Sequence, residues 1–213
     1  LGMNHAGELT PLTALVRPHL ALITNVGPAH MEFFASTEEI ARAKAEIFSG
    51  LEAGGTVVLN RDDAQYPLLE RAAIRAGARV HGFGRAEEAD TRLVDFTLGG
   101  EGSSIQAMIA GRPLAYELRL PGRHWVFNSL AVLAVIHEIG GDLEAAAQTL
   151  GGVMPGRGRG NRHQISLAGM CFELIEDSYN ANPASMTAAL AVLGEVKPGP
   201  QGRRIAVLGD MLE

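Results

Sequence analysis

One cysteine, Cys171, is all the chain contains. That excludes an internal disulfide and any zinc cluster built on cysteines, and it fits a reducing compartment. Within an apolar run, a lone cysteine is expected to be a buried strand residue. No stretch of roughly 18 uninterrupted apolar residues occurs, so no membrane-spanning helix is expected. No secretory leader opens the chain, and a cytoplasmic location is the expectation. Basic runs are absent and the net charge is −6, which removes electrostatic support for a nucleic-acid groove while leaving anionic small molecules open to local arginines. The phosphate loop GxxxxGK[ST] is missing too, because neither Lys44 nor Lys197 has the required glycines before it. Lysine itself is scarce: only these two of the 18 basic residues are lysine.

What is present reads as α/β. With 213 residues, 46% of them hydrophobic and only 5% aromatic, the chain suffices for one good-sized aliphatic domain, or one domain and part of another. LALITNV (20–26) is a β-type run, followed by a helix with capping-box spacing at Ser36 and Glu39 and a stop at Gly50. TVVLN (56–60) and RVHGFG (79–84) are further strands, with a helix over 64–76 between them. This alternation predicts a mostly parallel sheet flanked by helices. From Thr91 to Pro121, alternating segments with Gly at the turns predict a small antiparallel sheet added to it. An apolar helix follows over 124–139, then one capped by Asp142 and running to Leu150. HQISLA and CFELIED read as strands around a turn at Gly169. Asn182 caps a last helix with Pro183 in its first turn, and RRIAVLGD reads as a strand opening another β/α unit. A domain boundary is placed near 176, with 1–176 as one domain and 177–213 as the start of another. Both ends read as cut from a longer polypeptide.

Lys44 is the anomaly. Helical spacing sets it on one face with Ile40, Ile47 and Leu51. The plain explanation is that its methylenes lie along apolar surface while the charge reaches water or pairs with Glu46 or Glu32. The sharper one pairs it with His30, in the loop after the first strand, where ligands of open α/β sheets bind. A free ammonium does not ligate Mg²⁺, but a lysine that has reacted with CO₂ is a carbamate, an oxygen donor suited to hard cations.

His124 and Asn128 lie one turn apart at the start of their helix. Both are ordinary as capping or exposed polar residues, although an asparagine there also suits a base edge. Asp177, at a strand's carboxyl end, either caps its loop or holds a ribose hydroxyl. Arg157, Arg159 and Arg162 are either solvated or face polyphosphate.

LGMNHAGEL, TNVGPAHMEFFAS, IARAKAEIF, LPGRH with Asn128 beyond it, PGR, DSYNANPASM and VLGDMLE, in that order, resemble the Mur ligases of peptidoglycan synthesis, and the resemblance covers the whole chain. It implies most of a central ATPase domain plus the opening of a Rossmann-like C-terminal domain. The activity it implies is ATP-dependent addition of D-alanyl-D-alanine to UDP-MurNAc-tripeptide through an acyl-phosphate, with a monomer as the expected state of the longer parent. The cofactors it implies are ATP and Mg²⁺, with His30 and carboxylated Lys44 as metal ligands and catalytic residues. By the same resemblance Asn128 contacts adenine, Asp177 the ribose, and Arg162 (with Arg157 as the alternative) the nucleotide. Asn180 and Asn182 lie near the nucleotide, and Asn4 and His5 face the UDP-peptide. Three departures stand out: the family's magnesium-ligating glutamate falls before Leu1, the phosphate loop is absent, and Trp125 replaces an asparagine common in the family. The chain by itself is therefore expected to bind ATP poorly and catalyse nothing. Two rival readings are a related amide ligase, such as the tripeptide synthetase or a folylpolyglutamate synthase, and a non-catalytic nucleotide-binding module.

Overall fold

A computed structural model describes residues 1–28, 33–167 and 169–211. Its frame is a six-stranded sheet in the order β1 (Leu20–Ile23), β2 (Thr56–Asn60), β3 (Arg79–Gly84), β4 (Thr91–Leu98), β5 (Ser103–Ile109) and β6 (Arg112–Leu118). The first four strands are parallel, and β4, β5 and β6 continue the same sheet as an antiparallel meander. The expected small sheet is thus fused to the parallel core through a short pairing of Phe83 with Thr91 and Gly84 with Arg92.

Helices explain why the strands differ in texture. On one face lie α2 (Thr37–Ala45) and α3 (Tyr66–Arg75), packed over Ala21, Ile23, Val57 and Leu59. On the other, α4 (Arg123–Glu138) and α5 (Leu143–Leu150) cover Val58, Phe83, Leu93 and the inward residues of β5 and β6. β2 is covered on both sides and reads as an unbroken apolar run, whereas β5 and β6 alternate buried with exposed because one face meets water.

The start of the chain holds an element the sequence does not announce. α1 (Leu9–Val16) carries Pro11 in its first turn, and it ends at Arg17 in the left-handed region (φ 49°) where a glycine would ordinarily mark the stop. It docks on the turn after α2: the Thr13 hydroxyl donates to the Ile47 carbonyl at 2.8 Å. A Cβ on Gly50 would stand 2.4 Å from the Thr13 carbonyl oxygen, which is backbone and does not yield easily. Gly50→Ala is expected to destabilise the chain by about 1–3 kcal/mol through overpacking, read as a lower urea midpoint. An unchanged midpoint would mean that α1 docks less closely than this contact requires.

Two regions lie outside the main sheet. β7 (Asn161–Leu167) and β8 (Met170–Glu176) form a separate antiparallel pair. Cys171, expected inside, is exposed there. The strand alternation turns it to the polar side with Ser166, while Leu167, Met170, Phe172 and Leu174 take the other side. α6 (Pro183–Glu195) forms as expected but fully buries no residue. RRIAVLGD does not form the expected strand: Ile205 is 62% and Val207 94% exposed. A strand is held by its ladder, and among the described residues no strand pairs with this segment.

Candidate functional site

α2, which carries Lys44, packs through Ala41 on the cluster formed by β1 and β2. α2 begins as expected: the Ser36 hydroxyl accepts from the Glu39 amide at 3.2 Å, and the Glu39 carboxylate accepts from the Ala35 amide at 2.9 Å. It does not run to Gly50. After Ala45 the chain tightens into a 3₁₀ turn over Glu46–Gly50. With about three residues per turn there, Ile47 and Leu51 leave the face of Ile40 and Lys44 and pack on the β1–β2 cluster. The single stripe of four residues is thus corrected to two patches, with Ile40 in a separate cluster with Phe34 and Ala43.

Lys44 is half-buried. Burial pushes its ammonium below the ordinary lysine range, and the negative charge of Asp63 opposes that shift. Among the described residues no carboxylate stands within ion-pair distance of it. Glu46, one of the partners considered from sequence, is engaged elsewhere: its carboxylate accepts from the Gly7 amide at 2.6 Å and from the Thr10 amide and hydroxyl at 3.3 Å. Glu32 and His30 lie outside the described residues, so the pairing of His30 with Lys44 does too.

Asp63 is the residue that the sequence reading missed. It follows β2, at the strand end where α/β sheets bind ligands, and that position is the signal that marks it. Its carboxylate accepts from the Val26 amide at 2.6 Å and the Gln65 amide at 2.8 Å. The segment bearing Asn4 and His5 is brought to the same neighbourhood through Glu46. Both residues are exposed; the Glu8 carboxylate accepts from their amides at 2.7 and 3.2 Å, and the His5 ring stands 4.4 Å from that of Phe33. Those two amides hold the Glu8 carboxyl below its ordinary range, with the His5 ring contributing as well.

A second group gathers where β8, the arginine loop and α4 meet. The loop is stitched to the chain after β8, since Gly160 N–H donates to the Glu176 carbonyl at 2.8 Å and Tyr179 N–H to the Gly158 carbonyl at 3.0 Å. The Arg159 guanidinium lies 4.4 Å from the centre of the Tyr179 ring. Gly158 is required there: its φ is +70°, and a Cβ would meet the Tyr179 backbone nitrogen at 3.1 Å. Asp177 is close enough to His124 to pull the imidazole pKa up, against a larger downward push from burial. Asn128, a turn further along α4, is exposed. A largely apolar cavity separates α6 from the start of α4, lined by Leu98, Pro121, His124, Ala188 and Val192 among others.

Three candidate residues are already engaged. Two Arg162 contacts hold it to the fold, one with the Glu173 carboxylate at 3.1 Å and one with the Gly100 carbonyl. Asn182 caps α6, its side chain accepting from the Ser185 amide at 2.8 Å while its own amide donates to the Ser185 hydroxyl. The Asn180 side chain accepts from the Ala181 amide at 2.9 Å.

No group of three or more His, Cys, Asp or Glu able to hold a metal occurs among the described residues. A half-buried amine would become an oxygen donor for a hard cation if it were carboxylated, and Lys44 is half-buried. No helix among the described residues is long and apolar enough to cross a membrane.

Known proteins give this geometry its context. Residues 1–136 match the Mur ligase middle domain family. The UDP-N-acetylmuramoyl-tripeptide–D-alanyl-D-alanine ligase of Escherichia coli is 36% identical over 216 residues, covering 100% of this chain and 45% of that protein. The ligase of the same name from Rickettsia prowazekii is 33% identical over 217 residues, covering 100% and 46%. The chain thus spans under half the length of these curated relatives. A crystal structure of MurF from Acinetobacter baumannii superposes with a TM-score of 0.83 at 31% identity, covering 92% of this chain and 42% of that one. The fold is shared as well with MurF from Thermotoga maritima, solved in complex with ADP, at a TM-score of 0.75 and 24% identity. With a family match over residues 1–136, more than half of its length, the chain belongs to the Mur ligase family, through that family's middle domain.

Proposed function

We propose that this chain is the central part of an ATP-dependent ligase that joins D-alanyl-D-alanine to UDP-MurNAc-tripeptide in the cytoplasm, as a step of peptidoglycan synthesis. The observation that carries the reading is similarity along the whole chain to ligases of that name, joined to a half-buried amine with no ion-pair partner among the described residues. In this reading residues 1–176 belong to the ATP-binding domain, and residues 177–213 open a second, Rossmann-like one.

Each residue then has a task. The Lys44 amine adds CO₂, forming a carbamate with release of one proton. The carbamate and His30 would hold Mg²⁺, which when bound supplies neutralisation of the charge that builds up as ATP phosphorylates the peptide carboxylate. The amine of D-alanyl-D-alanine then displaces phosphate from the acyl-phosphate. Asn128 and Asp177 take the adenine and ribose, with Asn180 and Asn182 beside the nucleotide. Arg162 is assigned to the nucleotide by family position, and its present hold on Glu173 and Gly100 would have to open. Arg157, the alternative in the same loop, is exposed and needs no such change. Asn4 and His5 face the UDP-peptide from a segment that Glu8 and Glu46 hold in place.

The test is an acceptor comparison. A ligase polypeptide carrying this domain, given ATP, Mg²⁺ and UDP-MurNAc-tripeptide, is expected to form product and ADP with D-alanyl-D-alanine and not with free glutamate. Turnover with glutamate, or with diaminopimelate on the shorter dipeptide precursor, would replace this assignment by another amide ligase of the family.

A further inference from the structure

We propose that Asp63 and Gln65, in the turn between β2 and α3, form a clamp that positions the Lys44 site by holding both described flanks of the β1–α2 loop. The inference rests on the reading of Lys44 as an active-site residue, and it assigns that site two positioning residues.

The geometry is specific to a carboxylate at 63. Oδ2 accepts from the amide of Val26, just beyond β1, at 2.6 Å, and Oδ1 accepts from the Gln65 amide at 2.8 Å. Short charge-assisted bonds of this kind are the stronger class. The Gln65 side chain then reaches the opposite flank, donating from Nε2 to the hydroxyl of Thr37, the first residue of α2, at 3.4 Å. One turn therefore grips the exit of β1 and the entry of the helix that carries Lys44. Lys44 lies about two helical turns beyond Thr37, so a shift of the α2 entry is carried to its side chain. Asp63 is also the charge acting on the Lys44 ammonium.

Besides the bond from the Gln65 amide to the Asp63 side chain, the turn has bonds of its own that do not involve the carboxylate. Tyr66 N–H donates to the Asp63 carbonyl at 2.9 Å, Asp63 N–H to the Asn60 carbonyl at 3.2 Å, and the Asn60 side chain to the Thr24 carbonyl at 3.1 Å. The carboxylate thus holds the loop above a turn that also has these other bonds.

The test uses Asp63→Ala, Asp63→Asn and Gln65→Ala in a ligase polypeptide carrying this domain. Groups that support ligands from behind typically change affinity or activity by about 10–100-fold. On that scale Asp63→Ala is expected to lower kcat and to raise the half-saturating Mg²⁺ concentration, with KM for the UDP-peptide unchanged. Asp63→Asn keeps one acceptor for two amides and should fall between, and Gln65→Ala should show the smallest loss. In the chain by itself, the Val26 amide should exchange with solvent about tenfold faster in Asp63→Ala, as expected for an opened local hydrogen bond. Unchanged kcat and Mg²⁺ dependence in Asp63→Ala, or unchanged Val26 exchange, overturns the clamp. If the unsubstituted polypeptide has no ligase activity, it is the functional reading that fails, and the exchange experiment still decides whether the clamp exists.

Discussion

Lys44→Ala is expected to lower turnover of a ligase polypeptide carrying this domain by about 10²–10³-fold, the scale on which removing one preorganised charge-stabilising group acts. Added short carboxylic acids such as acetate should restore part of it by placing an oxygen donor where the carbamate stood. Folding should not suffer. The ammonium is half-buried with no ion-pair partner among the described residues, and burial holds its pKa down, so removing it relieves an unfavourable desolvation. Loss of activity with stability kept or raised is therefore the signature expected of a functional lysine. Carbon-13 NMR after exposure to labelled bicarbonate gives an independent readout: a carbamate resonance present in the unsubstituted chain and absent from Lys44→Ala. Full turnover in the variant would leave only a lysine that lays its stem on apolar surface.

Much of the architecture was legible because local signals and tertiary context agree. TVVLN and RVHGFG become β2 and β3 with the bounds read from their turn residues. Asp142 caps α5 by accepting from the Glu144 and Ala145 amides, and the Asn182–Pro183 start of α6 is as read. α1 was missed because both of its ends lack ordinary markers: the side chain of Glu8 does not cap it, and Arg17, held by Glu52 at 2.6 Å, takes the place of a glycine. The segment 203–211 was misread for the opposite reason. Its apolar alternation is genuine, but pattern alone does not supply a neighbouring strand.

The candidate site divides in the same way. Lys44 was visible as a charge on an apolar face, and the structure keeps it half-buried, although the period assumed beyond Ala45 is replaced by a 3₁₀ turn. Asp63 was not singled out, and Glu46 was considered only as a partner for Lys44, because their contacts are with backbone amides 37 and 39 residues away along the chain. No spacing rule connects groups so distant. Asp177 and His124 were each noted at an element's end, and only the fold brings the two groups together.

Glu138→Ala is expected to reduce stability by about 1–3 kcal/mol, the range for leaving buried hydrogen-bonding groups without their partner. Glu138 ends α4 at the amino ends of β2 and β3, far along the helix from His124. His81 Nδ1 donates to its Oε1 at 2.8 Å, the Thr56 hydroxyl to its Oε2 at 3.1 Å, and Arg79 stands 3.6 Å away. With Nδ1 donating, Nε2 of a neutral His81 accepts from the Thr91 hydroxyl at 2.9 Å. The His81 side chain is 5% exposed and that of Glu138 14%, so neither is rescued by water when its partner is removed. Burial raises the Glu138 pKa, but the hydrogen bonds from His81 and Thr56, followed by the charges of His81 and Arg79, outweigh it, and the net value lies below the ordinary 4.5. A carboxyl whose folded pKa is depressed contributes stability in full above its unfolded value and loses it as pH falls through the folded one. The difference in urea stability between the unsubstituted chain and Glu138→Gln should therefore be large at about pH 7 and shrink at about pH 3. An equal difference at both would show that the network acts through shape and hydrogen bonding, with the charge of Glu138 contributing nothing.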